Sequence, residues 1–141
     1  MTDIFETLEL DHQTLLELLR RLEREGKDEQ VLDELRRAFD GLRAGEEEVL
    51  YPRLEDDPQV GDLVREGYVE HHAINMLLRE TIATTTSAAD FRARSIVLRE
   101  MLEHHYGKEE GAVFLRARQL LGGREQVELN DALNDERRRA A

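Results

Sequence analysis

The sequence predicts an all-α fold, an antiparallel up-down-up-down four-helix bundle made of two copies of one helical hairpin, with a short C-terminal helix. Three observations carry this. The chain has 141 residues, 37% charged and 40% hydrophobic, with only two prolines. Leu, Glu, Arg and Ala dominate, and all are good helix formers. Four long stretches repeat apolar residues every three or four positions, as amphipathic helices do. The second pair of stretches repeats the first.

Each element has its own signals. The first helix spans about Asp3 to Glu25, with Phe5, Leu8, His12, Leu15, Leu19 and Leu22 on one face; Gly26 and Lys27 end it. The second spans about Asp28 to Leu54, with Leu32, Leu35, Phe39, Leu42, Glu46 and Val49 inward. DDPQVGD then turns the chain. The third spans about Val60 to Thr85 through Val64, Tyr68, His71, Ile74, Leu78 and Ile82. TTTSAAD follows, and its aspartate suits a helix cap. The fourth spans about Phe91 to Leu121 through Leu98, Leu102, His105, Glu109 and Ala112. LGG breaks the chain before a last helix, about Arg124 to Arg138. Residues 1–141 read as one domain with its four-helix core over about 3–121.

The repeat is visible in two places. Asp11-His12 with Leu15, Leu18 and Leu19 matches Glu70-His71 with Ile74, Leu77 and Leu78. LRAGEEEVLYP at 42–52 matches HYGKEEGAVFL at 105–115, pairing Glu46 with Glu109, Glu47 with Glu110, Leu50 with Val113 and Tyr51 with Phe114. The first position breaks the match, because Leu42 stands where His105 stands.

His12, Glu46, His71, His105 and Glu109 all fall on apolar faces. A buried carboxylate is costly without a proton, cation or metal beside it. With a rise of about 1.5 Å per residue and alternating helix directions, the five fall within one layer a few turns deep. Three imidazoles and two carboxylates around one cavity suit a transition metal, and carboxylates can bridge two. Taken singly, each residue is as readily a satisfied core histidine or a partly solvated glutamate; repetition across two hairpins favours the metal. The neighbours carry less signal. His72 and His104 read as surface residues or as partners of ligands, and His104 competes with His105 if the helix is rotated. Tyr51, Tyr68 and Tyr106 read first as packing residues, although a phenolate can ligate iron. Glu47, Glu48 and Glu110 read as a solvated face. Asp11 and Glu70 each precede an inward histidine and read either as solvated or as orienting partners. The Arg137-Arg138-Arg139 run suits a helix C-terminus.

Bulk properties exclude several classes. A net charge of −12 opposes binding to nucleic acid or anionic membranes. The absence of cysteine removes disulfides, thiolate metal sites and a cysteine nucleophile. No apolar run reaches the ~20 residues of a membrane span, and the N-terminus is unlike a signal peptide. The expected location is cytoplasmic.

The residues resemble the hemerythrin-like HHE cation-binding domains, over about residues 3–121. The resemblance rests on DHQTLLELL, EEEVLYP, EHHAINMLL and HHYGKEEGAVF in that order. It implies a four-helix bundle holding a non-haem di-iron site, with His12, Glu46, His71, His105 and Glu109 as ligands. The family's histidine four residues before the second-helix glutamate falls on Leu42, and a second third-helix histidine of the oxygen-carrying branch falls on Asn75. Three outcomes stay open: a two-metal site with one position left for exogenous ligands, a replacement by a tyrosine or His104, or one metal or none.

Family activities include oxygen binding, redox sensing, handling of nitric oxide and peroxide, and iron–sulphur cluster repair. The expected ligand is a small diatomic or peroxide at two iron ions. Reversible oxygen carriage fits less well with two histidine positions missing, and cluster repair often goes with a cysteine-bearing segment. The alternative is a non-catalytic or degenerate sensor or scaffold with one metal or none, working through a protein partner or homodimer.

Overall fold

The computed structural model describes residues 1–140. Helix α1 covers Ile4–Glu25, α2 Glu29–Gly45, α3 Gly61–Ala83 and α4 Ala88–Lys108. Two more follow, α5 Phe114–Leu120 and α6 Gly123–Ala140, and no strand occurs among the described residues. Helices α1 to α4 pack in a ring in which each touches the next and α4 returns to α1. Ion pairs between them fix the directions. Arg99 of α4 meets Glu23 of α1 while Arg118 of α5 meets Glu9, so these helices run antiparallel. Glu70–His105 with Glu80–Arg94, and Asp40–Arg79 with Glu47–His71, show the same for α3/α4 and α2/α3. The predicted up-down-up-down bundle is the observed one.

Local chemistry explains the helix ends. Asp3 accepts a hydrogen bond from Glu6 N and caps α1. Gly26 closes α1 at φ 88°, a left-handed conformation that glycine adopts without steric cost. Asp28 caps α2 through Gln30 N and Val31 N. In the following turn Asp57 accepts from Gln59 N and Val60 N. The cap of α4 is Ser87, not the aspartate read from TTTSAAD; Ser87 Oγ accepts from Asp90 N, so the helix begins three residues earlier than Phe91.

The largest departure from the sequence reading lies inside the second and fourth helices. Neither is a continuous α-helix. Each carries one π-helical turn, Glu46–Leu50 in one and Glu109–Val113 in the other, at matching positions of the repeat. A π turn bonds i to i+5 and rotates everything after it. Ala112, expected inward, is therefore exposed, while Val113 and Phe114 are buried. Val49 is likewise half-buried, and Leu50 and Tyr51 take the inward places. After the first π turn, Tyr51–Arg53 forms a 3₁₀ turn containing Pro52. Proline has no N–H to continue a helix, which ends the element.

The C-terminal helix is longer than expected, 18 residues, and packs as a fifth helix against α1, α2 and the first π turn. It is polar, and of its side chains only Asn130 and Leu133 are buried. Leu133 sits in a notch: a Cβ on Gly45 would lie 2.3 Å from its Cδ1, and one on Gly41 would lie 3.3 Å from the Arg137 carbonyl. Two glycines four residues apart thus let α6 approach the α2 backbone. Arg137 then reaches back to Asp11 at 2.8 Å.

The core is one apolar cluster that includes Leu15, Leu19, Leu35, Phe39, Ile74, Leu78, Leu98 and Leu102 together with Phe5, Leu8, Leu50, Leu54, Val64, Val113 and Phe114. His12, Glu46, His71, His105 and Glu109 are buried with it, each at most 3% exposed. No helix among the described residues is long and apolar enough to cross a membrane.

Candidate metal centre

All five inward polar residues meet. Donor atoms of Glu46, His71, His105 and Glu109 lie within 4.8 Å of one another. His12 joins them, its Nε2 3.2 Å from Glu109 Oε1 and 3.7 Å from Glu46 Oε2. His71 Nε2 is 3.2 Å from Glu46 Oε1, and His105 Nε2 is 3.3 Å from Glu109 Oε2. Three imidazole nitrogens thus point at two carboxylates, one from each π turn. The π turns have a purpose here: the glutamate opens each, and the residues beyond swing hydrophobic groups under it.

The outer nitrogens of the imidazoles are tied down. His12 Nδ1 donates to Glu110 at 2.7 Å, His71 Nδ1 to Glu47 at 2.8 Å and His105 Nδ1 to Glu70 at 2.9 Å. A carboxylate behind each ring fixes its orientation and leaves the Nε2 lone pair facing inward. The inner atoms are unpartnered. Nε2 of all three histidines, both oxygens of Glu46 and Oε1 of Glu109 make no hydrogen bond. Buried polar atoms are nearly always bonded, so six orphans converging on one point call for a shared partner. A cation would supply it: imidazole and carboxylate suit a first-row transition metal, and the rings are oriented with Nε2 toward the shared point.

Electrostatics agree. Burial disfavours the charged forms of His12 and His71, yet the surrounding carboxylates outweigh it. His12 is held well above the ordinary imidazole range by Glu109, Glu110 and Glu46. His71 is pushed up to about 9 by Glu46 and Glu47. His105 is raised despite its burial, chiefly by Glu109. Burial and the facing charge of Glu109 raise Glu46. Glu109 goes the other way: Glu46, His105 and His12 overcome its burial and hold it well below the usual carboxylate range. Without metal, protons occupy the positions that a cation takes.

Two tyrosines enter the layer. Tyr51 donates its phenolic proton to Glu109 Oε2 at 2.5 Å and its ring stacks on His71. Gly67 makes this reach possible, because a Cβ there would stand 2.9 Å from the Tyr51 hydroxyl. Tyr106 stacks face to face on His12, centroids 3.7 Å apart and planes 8° from parallel. Beside the centre, Tyr51, Gly67, Glu70, His105 and Glu109 line a void of about 10 Å³, roughly enough for one water-sized molecule.

The remaining candidates divide. Glu70 orients an inward imidazole, but that of His105 across the α3/α4 contact rather than that of His71 beside it in sequence. Asp11 pairs with Arg137 of α6 and touches no imidazole nitrogen. His72 and His104 are exposed, so His104 does not compete with His105. Glu47 and Glu110 correct the solvated-face reading, since each is the Nδ1 partner of a buried histidine, whereas Glu48 is exposed. The repeat itself held the signal, because Glu47 and Glu110 occupy matching positions. Leu42 is buried at 1% exposure, an apolar residue filling the place where a fourth histidine is missing.

Comparison with known proteins places the chain. It is 29% identical over 129 residues to a DNA nickase of Nostoc sp. (strain PCC 7120 / SAG 25.82 / UTEX 2576), covering 89% of this chain. That match spans 36% of the relative's length. No solved structure matches. The hemerythrin HHE cation binding domain model matches residues 3–117, from the α1 cap into α5, and the chain belongs to this family.

Proposed function

We propose that this protein is a non-haem di-iron protein that binds, senses or turns over a small oxidant or diatomic such as oxygen, peroxide or nitric oxide. The observation that carries the reading is the set of six unpartnered, buried donor atoms whose imidazoles are oriented from behind by carboxylates. Glu46 and Glu109 would bridge two ions, with His71 and His105 on one and His12 on the other. Iron held there supplies a Lewis acid and a redox couple. The chain's own residues do the rest. The apolar core excludes water, and the Tyr51 hydroxyl holds a proton beside Glu109. The water-sized void admits only small ligands. Leu42 leaves the His12 side one histidine short, whereas the void lies beside His105 and Glu109, so the His105 side is where an exogenous molecule would bind.

A second reading has its own support. The four donors within 4.8 Å of one another are Glu46, His71, His105 and Glu109, without His12. This favours a single-ion site in a non-catalytic sensor or scaffold module. The nickase activity named for the Nostoc relative is not carried over, because a chain of net charge −12 offers no basic footprint for a phosphate backbone.

Elemental analysis of untagged protein purified without chelators, with a visible spectrum of the same sample, separates the readings. About two irons per chain, and a spectrum that changes with peroxide or nitric oxide, is the expected result. About one ion with an inert spectrum supports the module, and no metal rejects both.

A further inference from the structure

The His12 side of the centre is short of protein donors. Leu42 is apolar, and Phe114 stands at the position that Tyr51 holds in the other copy of the repeat. One polar atom remains unexplained there. The Tyr106 hydroxyl is buried, its residue 2% exposed, and it has no hydrogen-bond partner. A buried phenol nearly always finds an acceptor. Tyr51 has one in Glu109; Tyr106 has none, and burial with the charges of Glu46 and Glu109 holds it as a neutral phenol until a cation offsets them. Its ring lies flat against His12, nearly parallel, so the two side chains enter the layer side by side from α4 and α1. A packing role alone would be served by phenylalanine and would leave no orphaned oxygen.

We infer that Tyr106 supplies the ligand missing at Leu42, its phenolate oxygen binding the metal ion on the His12 side. The inference rests on the metal-binding reading above and names one more donor for it. In the step, the O–H bond breaks, an oxygen–metal bond forms, and the proton joins those that metal binding displaces from the imidazoles. The donor set of that ion then becomes His12, Tyr106, Glu46 and Glu109, and the count lost with histidine is restored from another helix. The repeat explains why no second copy exists, because Arg43 occupies the position in α2 that matches Tyr106.

The test is the visible and resonance Raman spectrum of iron-loaded, air-oxidised protein, with iron counted per chain. Wild type should show a phenolate-to-ferric charge-transfer band that enhances tyrosine ring modes. Tyr106→Phe should lose the band and about half of the iron, and Tyr51→Phe should keep the band. Leu42→His in the Tyr106→Phe background should return the iron without the band. Iron-loaded wild type lacking tyrosine modes overturns the inference without any variant. A band that survives Tyr106→Phe, or disappears in Tyr51→Phe instead, overturns it too. A wild type that holds no iron removes the metal-binding reading itself, and the ligand assignment falls with it.

Discussion

The two hairpins are copies in sequence but not in equipment. The α3–α4 hairpin brings two histidines to the centre, His71 and His105, and Glu70 of α3 orients His105 of α4. The α1–α2 hairpin brings one, His12, with Leu42 where the second would stand. It is also the hairpin that α6 covers, with Leu133 in the Gly41–Gly45 notch and Arg137 on Asp11. One half is built for ligation and the other is shielded and donor-poor. Under the proposed function, asymmetry of this kind would give the two metal positions different affinities and different room for outside ligands.

The harshest way to break the comparison is to remove what both halves share. Glu109→Gln keeps the shape and deletes the charge that His12, His105 and Tyr51 converge on. Metal content by elemental analysis should fall to near zero, a larger loss than the roughly 10–100-fold in affinity expected from losing a residue that only orients a ligand. Retention of full iron would remove Glu109 from the centre.

Next comes the shield. Leu133→Ala empties the notch and should cost about 2–5 kcal/mol in denaturant unfolding. Because α6 packs on the first hairpin, hydrogen exchange should rise in α1 and α2 before α3 and α4. Uniform loosening would show that α6 supports the whole bundle.

The orienting carboxylates sharpen the contrast. Glu70→Gln and Glu47→Gln should weaken the better-ligated ion by roughly 10–100-fold. Glu110→Gln should lower only the occupancy of the ion beside His12. Competition with a chelator, followed by metal count, reads both, and equal losses in all three would deny the asymmetry. Leu42→His should even the halves from the other direction, raising iron per chain toward two if wild type holds fewer, or slowing the binding of nitric oxide if it already holds two.

The smallest effect is a pH dependence. In metal-free protein the histidines have folded pKa values above the unfolded 6.5, and that of His71 is about 9. A raised imidazole pKa stabilises below the unfolded value and loses that contribution as pH rises through the folded one. Tm of the metal-free protein should therefore decline between about pH 6.5 and 9. The metal-loaded protein, with neutral imidazoles throughout, should show a flat profile there. A flat profile in both would mean that the histidines are neutral without metal.

Much of this was legible in advance. The four helices, their antiparallel ring and the five inward polar residues followed from periodicity, because a helix buries whatever its 100° spacing places inward, polar or not. The orienting glutamates were misread for the same reason. Periodicity puts Glu47 and Glu110 at the edge of the buried stripe, where a solvated carboxylate and one reaching a neighbouring helix look alike. Ala112 was misplaced because a π turn changes the period itself, and EEGAV carries no composition that announces one. The last helix was visible, but its partner was not.

The sequence by itself determined the elements, the repeat, the family and the chemical nature of the donors, since these are set by local propensity and by residue identity. Only the tertiary structure decided which carboxylate stands behind which imidazole, that α6 is a fifth wall on the first hairpin, and that the Tyr106 hydroxyl is left without a partner beside His12. Those facts depend on distances between helices far apart in the chain. The register shifts of the two π turns and the close approach at Gly41 and Gly45 set those distances.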